Sequence, residues 1–106
     1  MYARLTKCQV KQGGVDQFIS IYRESIMPAM KEQRGFNGAH VLTDRKNNNV
    51  IAVAIWKTES DMLANEKSGY YSEQLAKIKS TLAVPSVREI YEVSVDVPAA
   101  ERQVTR

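Results

Sequence analysis

One cysteine and one histidine stand in a chain of 106 residues, and these two shortages remove whole classes of chemistry. Cys8 has no partner in the chain, so no intramolecular disulfide can form, and a lone thiol suits a reducing, cytoplasmic setting. With His40 the only imidazole, the usual zinc-ligand spacings cannot be built, and no metal is expected. Long apolar runs are missing too. The longest extends from Val50 to Trp56, far short of the ~20 residues that span a bilayer. Met1 to Leu5 holds no apolar core of a secretory signal, so neither membrane nor export is expected. The charge excess is small, 15 basic against 12 acidic residues for a net +3, and no basic stripe of the kind nucleic-acid binders carry is visible. Gly13-Gly14 lacks the pattern of a phosphate loop. No nucleophile elbow supports Ser-His-Asp catalysis around His40, and no base is placed beside Cys8 to make it a nucleophile.

What is present makes one domain, residues 1–97. A C-terminal tail, 98–106, has no packing stripe and is expected to be mobile or to contact a partner. Tyr2 to Val10 alternates as a strand until Gln12-Gly13-Gly14 ends it. The period then becomes helical through Val15, Phe18, Ile19, Tyr22, Ile26 and Met30, with Asp16 in the first turn and Pro28 bending or ending the ladder late. Phe36 to Asp44 and Val50 to Trp56 read as strands joined by the asparagine-rich tip Arg45 to Asn49. Thr58-Glu59-Ser60-Asp61 has the form of a capping box. The helix it opens loosens at Ser68-Gly69 and resumes with Tyr71, Leu75, Ile78 and Leu82, and a last strand is expected over Val87 to Val97.

The order β-α-β-β-α-β predicts an α+β, ferredoxin-like fold with a four-stranded antiparallel sheet. Two helices cover one face of such a sheet, yet Val50 to Trp56 is apolar on both. The cheapest cover for the second face is another copy, so a homodimer is expected. RNA-recognition domains share this strand order but stack bases on exposed aromatics of the central strands. Val50 to Ile55 offers none, so no nucleic-acid partner is expected.

Arg34-Gly35-Phe36-Asn37-Gly38 after the first helix, an apolar strand ending in Trp56, and Lys57-Thr58-Glu59-Ser60-Asp61 opening the second helix together resemble the antibiotic biosynthesis monooxygenase family. The resemblance covers roughly residues 2 to 97. It implies a dimeric α/β barrel of two paired sheets and, in some members, oxygenation of quinols or anthrones without a cofactor. Trp56 matches the tryptophan that lines the pocket in some members. Where some oxygenases carry an asparagine four positions earlier, this chain has Ala52. The haem-degrading branch needs a histidine on the second helix and an asparagine on the first strand, and both are absent here.

His40, with an unperturbed pKa near neutrality, is the natural general base. Its facing depends on hairpin register: pairing of Arg45 with Val50 sets it opposite Ile55, and pairing of Asp44 with Ala52 sets it beside Trp56. Trp56, Tyr70, Tyr71 and Tyr22 are the aromatics expected to surround a flat substrate, with Ala52 and Ala54 leaving space above the sheet; the plain alternative is that all four are core. Arg4 and Arg88, on neighbouring strands, either hold an anionic substrate or pair with Glu89, Glu92 or an acid of a partner. The expected activity is a cofactor-independent monooxygenase acting on a small electron-rich aromatic. The alternative is a non-catalytic binding or sensing module with the same pocket.

Overall fold

The structure is a computed structural model that describes residues 1–99. Its elements are β1 (Tyr2–Gln9), α1 (Gly14–Ile21), a π-helical turn (Tyr22–Ile26), α2 (Met27–Met30), β2 (Phe36–Asp44), β3 (Asn49–Trp56), α3 (Glu59–Lys67), α4 (Tyr70–Ile78) and β4 (Val87–Glu92). The sheet has the order β2-β3-β1-β4 with every neighbour antiparallel, the ferredoxin-like α+β arrangement.

Alternation sorts the strands into two faces. Arg4, Thr6 and Cys8 of β1, with Val50, Ala52, Ala54 and Trp56 of β3, are buried beneath Phe18, Tyr22, Ile26, Met30, Met62 and Ile78 from the helical layer. The other face carries Leu5, Ile51, Val53 and Ile55, half-buried, while Leu42 and Tyr91 at its margins are 52% and 53% exposed. Among the described residues no element covers it.

The helical reading of 15–30 holds, but the ladder changes before the proline. Pro28 lacks the N–H that would close its turn, and the widened π turn lies immediately ahead of it, Pro28 itself sitting in the first turn of α2. A left-handed Gly69, at φ 87°, separates α3 from α4.

The end of the last strand differs from expectation. The last strand stops at Glu92 rather than Val97, because its partner β1 runs out: Tyr2 pairs with Glu92, and the Val93 N–H makes the last bond to the Met1 carbonyl at 2.9 Å. Val95 and Val97 are consequently 78% and 82% exposed. Of the tail, residues 100–106 lie outside the described residues.

The β2–β3 hairpin adopts neither register considered; its turn spans the four residues Arg45 to Asn48. Asp44 pairs with Asn49, which sets His40 opposite Val53. The turn is held by the Asp44 carboxylate, which accepts from the Asn47 side-chain amide at 2.8 Å, and by Asn48 in the left-handed region at φ 57°.

At the start of α3 the Thr58 hydroxyl accepts from the Asp61 N–H at 3.0 Å. The return half of the capping box is not made; the Asp61 carboxylate instead faces Arg34 at 3.7 Å. Thr58→Ala should therefore remove one cap bond and cost about 1 kcal/mol, visible as a lower thermal midpoint. An unchanged midpoint would show that the helix start is held by its tertiary contacts alone.

Candidate functional site

Two alanines on β3 open the site. Ala52 and Ala54 are too small to fill the space under the helices, and a cavity of about 30 Å³ remains over them. Arg4 and Thr6 form its floor with these alanines, Phe18 and the π-turn residues Tyr22 and Ile26 wall one side, and Tyr71 and Gln74 of α4 wall the other. That volume holds a water or two, and no more. A second, open groove of about 360 Å³ runs along the edge of β2, bordered by Ile19, Arg23, Met27, Val41 and Thr43, and Tyr22 borders both spaces.

Arg4 is the dominant charge. It is 2% exposed, with its guanidinium carbon 3.9 Å from the Tyr71 ring centre and 5.2 Å from that of Trp56, distances at which a cation is attracted to both rings. Its Nη1 donates to Asn65 Oδ1 at 3.1 Å and to Glu66 Oε2 at 3.2 Å. Glu66 also accepts a two-pronged contact from Arg88, Nε to Oε2 at 2.9 Å and Nη2 to Oε1 at 2.6 Å. Asn65 in turn donates to Gln33 at 3.0 Å. Burial pulls the Arg4 pKa below its ordinary value, although Tyr71 and Glu66 oppose the fall. For Glu66 burial pushes upward, but the bonds from Arg88 and Arg4 outweigh it and its pKa lies below the usual carboxylate value.

The hydroxyls are held away from ionisation. The Tyr71 and Thr6 oxygens share a hydrogen bond of 2.7 Å; burial raises the Tyr71 pKa against the smaller opposing effects of that bond and of Arg4. Burial pushes the Tyr22 phenol up to about 12 and the Cys8 thiol up to about 11, so Cys8 is an inert core residue at neutral pH.

Of the aromatic set expected around a substrate, Tyr22 and Tyr71 wall the cavity itself, and Trp56 stands behind Arg4. Tyr70 precedes Tyr71 on α4 with a buried, unpartnered hydroxyl, but it does not wall the cavity. His40 is not brought to this site. Its pairing with Val53 puts its side chain on the sheet face away from the helices, and it borders the open groove instead. Arg4 and Arg88 pair with Glu66 of α3, and Glu89 faces Lys7 at 3.7 Å. Gln74 and the glutamate were missed, since nothing in the helical pattern distinguishes them from solvated polar residues. The inward facing of Arg4 was readable: it alternates in phase with Cys8 and Val10, both apolar. Among the described residues no three His, Cys, Asp or Glu side chains gather as a metal site, and no helix is long and apolar enough to cross a membrane.

A family model described as antibiotic biosynthesis monooxygenase matches residues 1–77. Two Mycobacterium tuberculosis proteins described as uncharacterized are each 35% identical over 65 residues, 61% of this chain. The chain spans 28% of the length of these curated relatives. Among solved structures, a monooxygenase of Streptomyces coelicolor in complex with the ligand nanaomycin D superposes with a TM-score of 0.76 at 16% identity, covering 92% of both chains. A mutant of SnoaB, a cofactor-independent oxygenase of Streptomyces nogalater, gives 0.74 at 14% identity, covering 92% of this chain and 97% of that one. At such identities the likeness is one of fold.

Proposed function

Because the chain belongs to the antibiotic biosynthesis monooxygenase family, we propose that it is a cofactor-independent monooxygenase acting on a small electron-rich aromatic of quinol or anthrone type, in the space between Ala52, Ala54, Tyr22 and Tyr71. The observation that carries this reading is the cavity over the two alanines, apolar on most of its wall and cationic at Arg4. At about 30 Å³ it is too small for an aromatic ring as it stands. Tyr22 borders both this cavity and the groove of about 360 Å³, and on this reading a movement of its side chain admits the ring, giving a space within the ~300–1,000 Å³ of small-molecule sites. Tyr22 opens the π turn, a distortion of the helical ladder that recurs at functional positions.

The chemistry asks little of the protein. An ionised anthrone gives an electron to dioxygen, the radical pair recombines as a peroxide at the ring carbon, and loss of water leaves the ketone. One oxygen atom enters the product, and the other departs as water with the two substrate hydrogens. The protein contributes a dry box, a fixed orientation and a positive charge beside the developing anions. Two chains pair through their open sheet faces to complete the barrel, and the assembly works in the cytoplasm.

The reading gives His40 no contact with the reacting ring. His40→Ala should keep substrate-dependent oxygen uptake within about twofold of the parent, since no transition-state contact is lost; a drop of tenfold or more would return the imidazole to the reaction. A panel of anthrones and quinols in an oxygen electrode, with labelled dioxygen to follow one atom into the product, tests the activity itself. A second reading is favoured by one observation: no imidazole or unpaired carboxylate walls the cavity among the described residues. On that reading the fold is a binding or sensing module, and the same panel would show saturable binding with no oxygen consumed.

A further inference from the structure

The open sheet face has a polar pattern at its margins. Straight across the four strands, one rung runs His40, Val53, Leu5, Glu89. It carries an imidazole at one edge, a carboxylate at the other and two apolar side chains between. The neighbouring rung runs Gly38, Ile55, Ala3, Tyr91, with no side chain at one edge and a 53% exposed phenol at the other. A Cβ placed on Gly38 would meet nothing within 4 Å, so the space above it is open. The rung on the opposite side ends in Leu42 and Val87, both more than half exposed. A twofold pair must match one surface with itself. With the axis parallel to the strands, between β3 and β1, each rung lies over its own copy in reverse order. Leu5 then meets Val53, Tyr91 fills the space over Gly38, Leu42 meets Val87, and the carboxylate meets the imidazole twice. An axis across the strands, centred on the first rung, would instead set His40 on His40 and Glu89 on Glu89, like charge against like.

We propose that a second copy of this chain docks here with the twofold axis parallel to the strands, and that His40 of each copy binds Glu89 of the other as a proton-controlled latch. The inference rests on the proposed pairing of two chains through their open faces, and adds the register of that pairing and its control by pH. Both ends of the latch have neighbours of their own. Lys7 Nζ stands 3.7 Å from Glu89 Oε2, and the Tyr91 hydroxyl donates to Oε1 at 3.1 Å. A carboxylate has about four acceptor positions, so room is left for an imidazolium. On its own chain His40 has Val53 beside it, Asp44 two rungs along β2, and Arg23 bordering the same groove. Asp44 and Arg23 are both exposed and oppose each other, so water and salt weaken what remains of their influence. Lys7 draws on the same carboxylate, so docking should raise the imidazole's pKa by only about half a unit. That is about threefold for one contact and about tenfold for two. The sign follows from the rise. The contribution is complete below the free imidazole's ~6.5 and is lost as pH climbs through the docked value.

Sedimentation of the full-length chain from nanomolar to micromolar concentration, at about pH 5.5 and about pH 8 and one salt concentration, reads the latch on either side of the imidazole's titration. The parent's dissociation constant should be about tenfold lower at the acid pH. His40→Gln and Glu89→Gln should each reduce that difference to about twofold or less. His40 is exposed and Glu89 lies at the sheet surface, so neither change disturbs the core. Glu89→His combined with His40→Glu exchanges the two ends and should restore the difference. A parent still paired at nanomolar concentration is compared with the variants through the urea concentration that unfolds each, since assembly and stability are linked. A dimer whose affinity changes less than about twofold between the two pH values overturns the latch and leaves the pairing of two chains standing. So does a Glu89→Gln variant with the parent's full pH dependence. A parent that stays monomeric at micromolar concentration overturns both.

Discussion

Glu66→Ala should cost about 3–5 kcal/mol of folding stability, because it leaves Arg4 buried without its counter-charge. Among the described residues this carboxylate is the one acid paired with both Arg4, which is 2% exposed, and Arg88 at the sheet edge. Removing it leaves Arg4 with the Asn65 oxygen and two aromatic rings, which offset only part of the desolvation cost. Arg4→Leu combined with Glu66→Leu should be less destabilised than Glu66→Ala, since an apolar pair costs less to bury than an unpaired charge. The pH dependence has a definite sign. The folded-state pKa of Glu66 is lowered, so its contribution is present above the unfolded value near ~4.3 and is lost as pH falls through the folded value. Denaturant midpoints measured across acid pH should therefore decline more steeply in the parent than in Glu66→Ala. Parallel declines would mean that Glu66 is not held by the two arginines in solution.

The second large effect concerns the uncovered sheet face. Val53 stands at its centre, paired with Leu5 on one side and His40 on the other, and Ile51 and Ile55 flank it. Leu42, Val87 and Tyr91 at the margins are each more than half exposed. A protomer alone leaves this apolar surface in water, and contiguous apolar patches of this kind mark protein–protein contacts. Val53→Lys should place an unpaired ammonium in the middle of the proposed dimer contact on both copies. Dissociation should rise by at least about a hundredfold, corresponding to ~3 kcal/mol. Sedimentation at micromolar concentration should show the parent as a dimer and the variant as a 12.0 kDa protomer. A parent that sediments as a monomer at that concentration would remove the barrel from the account.

Alternation and helical spacing carried most of the fold because each reports one local constraint. The paired faces of β1 and β3, the two helical segments and the Gly69 break all follow from residues within a few positions of one another. What depended on partners distant in sequence was less legible. The end of β4 is fixed by where β1 begins, which no residue between Glu92 and Val97 reveals. The facing of His40 depended on the hairpin turn, and Asn47 and Asn48 fit more than one turn length until the Asp44 carboxylate is seen to hold them. For the site, the small residues Ala52 and Ala54 and the tyrosines on facing helices announced a space above the sheet. Its chemistry did not announce itself, since the Arg4–Glu66 contact joins residues 62 positions apart and Gln74 looks like any solvated helix residue until its oxygen is found buried.

The central claim, that the reaction takes place over the alanines of β3, is tested most directly by filling that space. Ala52→Leu puts a branched side chain into a cavity of about 30 Å³, with overpacking expected to cost only ~1–3 kcal/mol of stability. Oxygen uptake with the best anthrone or quinol should fall by about a hundredfold or more, since even small misplacement of a reacting ring costs that much, while His40→Ala assayed beside it stays close to the parent. A folded, dimeric Ala52→Leu protein that consumes oxygen at the parental rate would place the chemistry elsewhere and contradict the account.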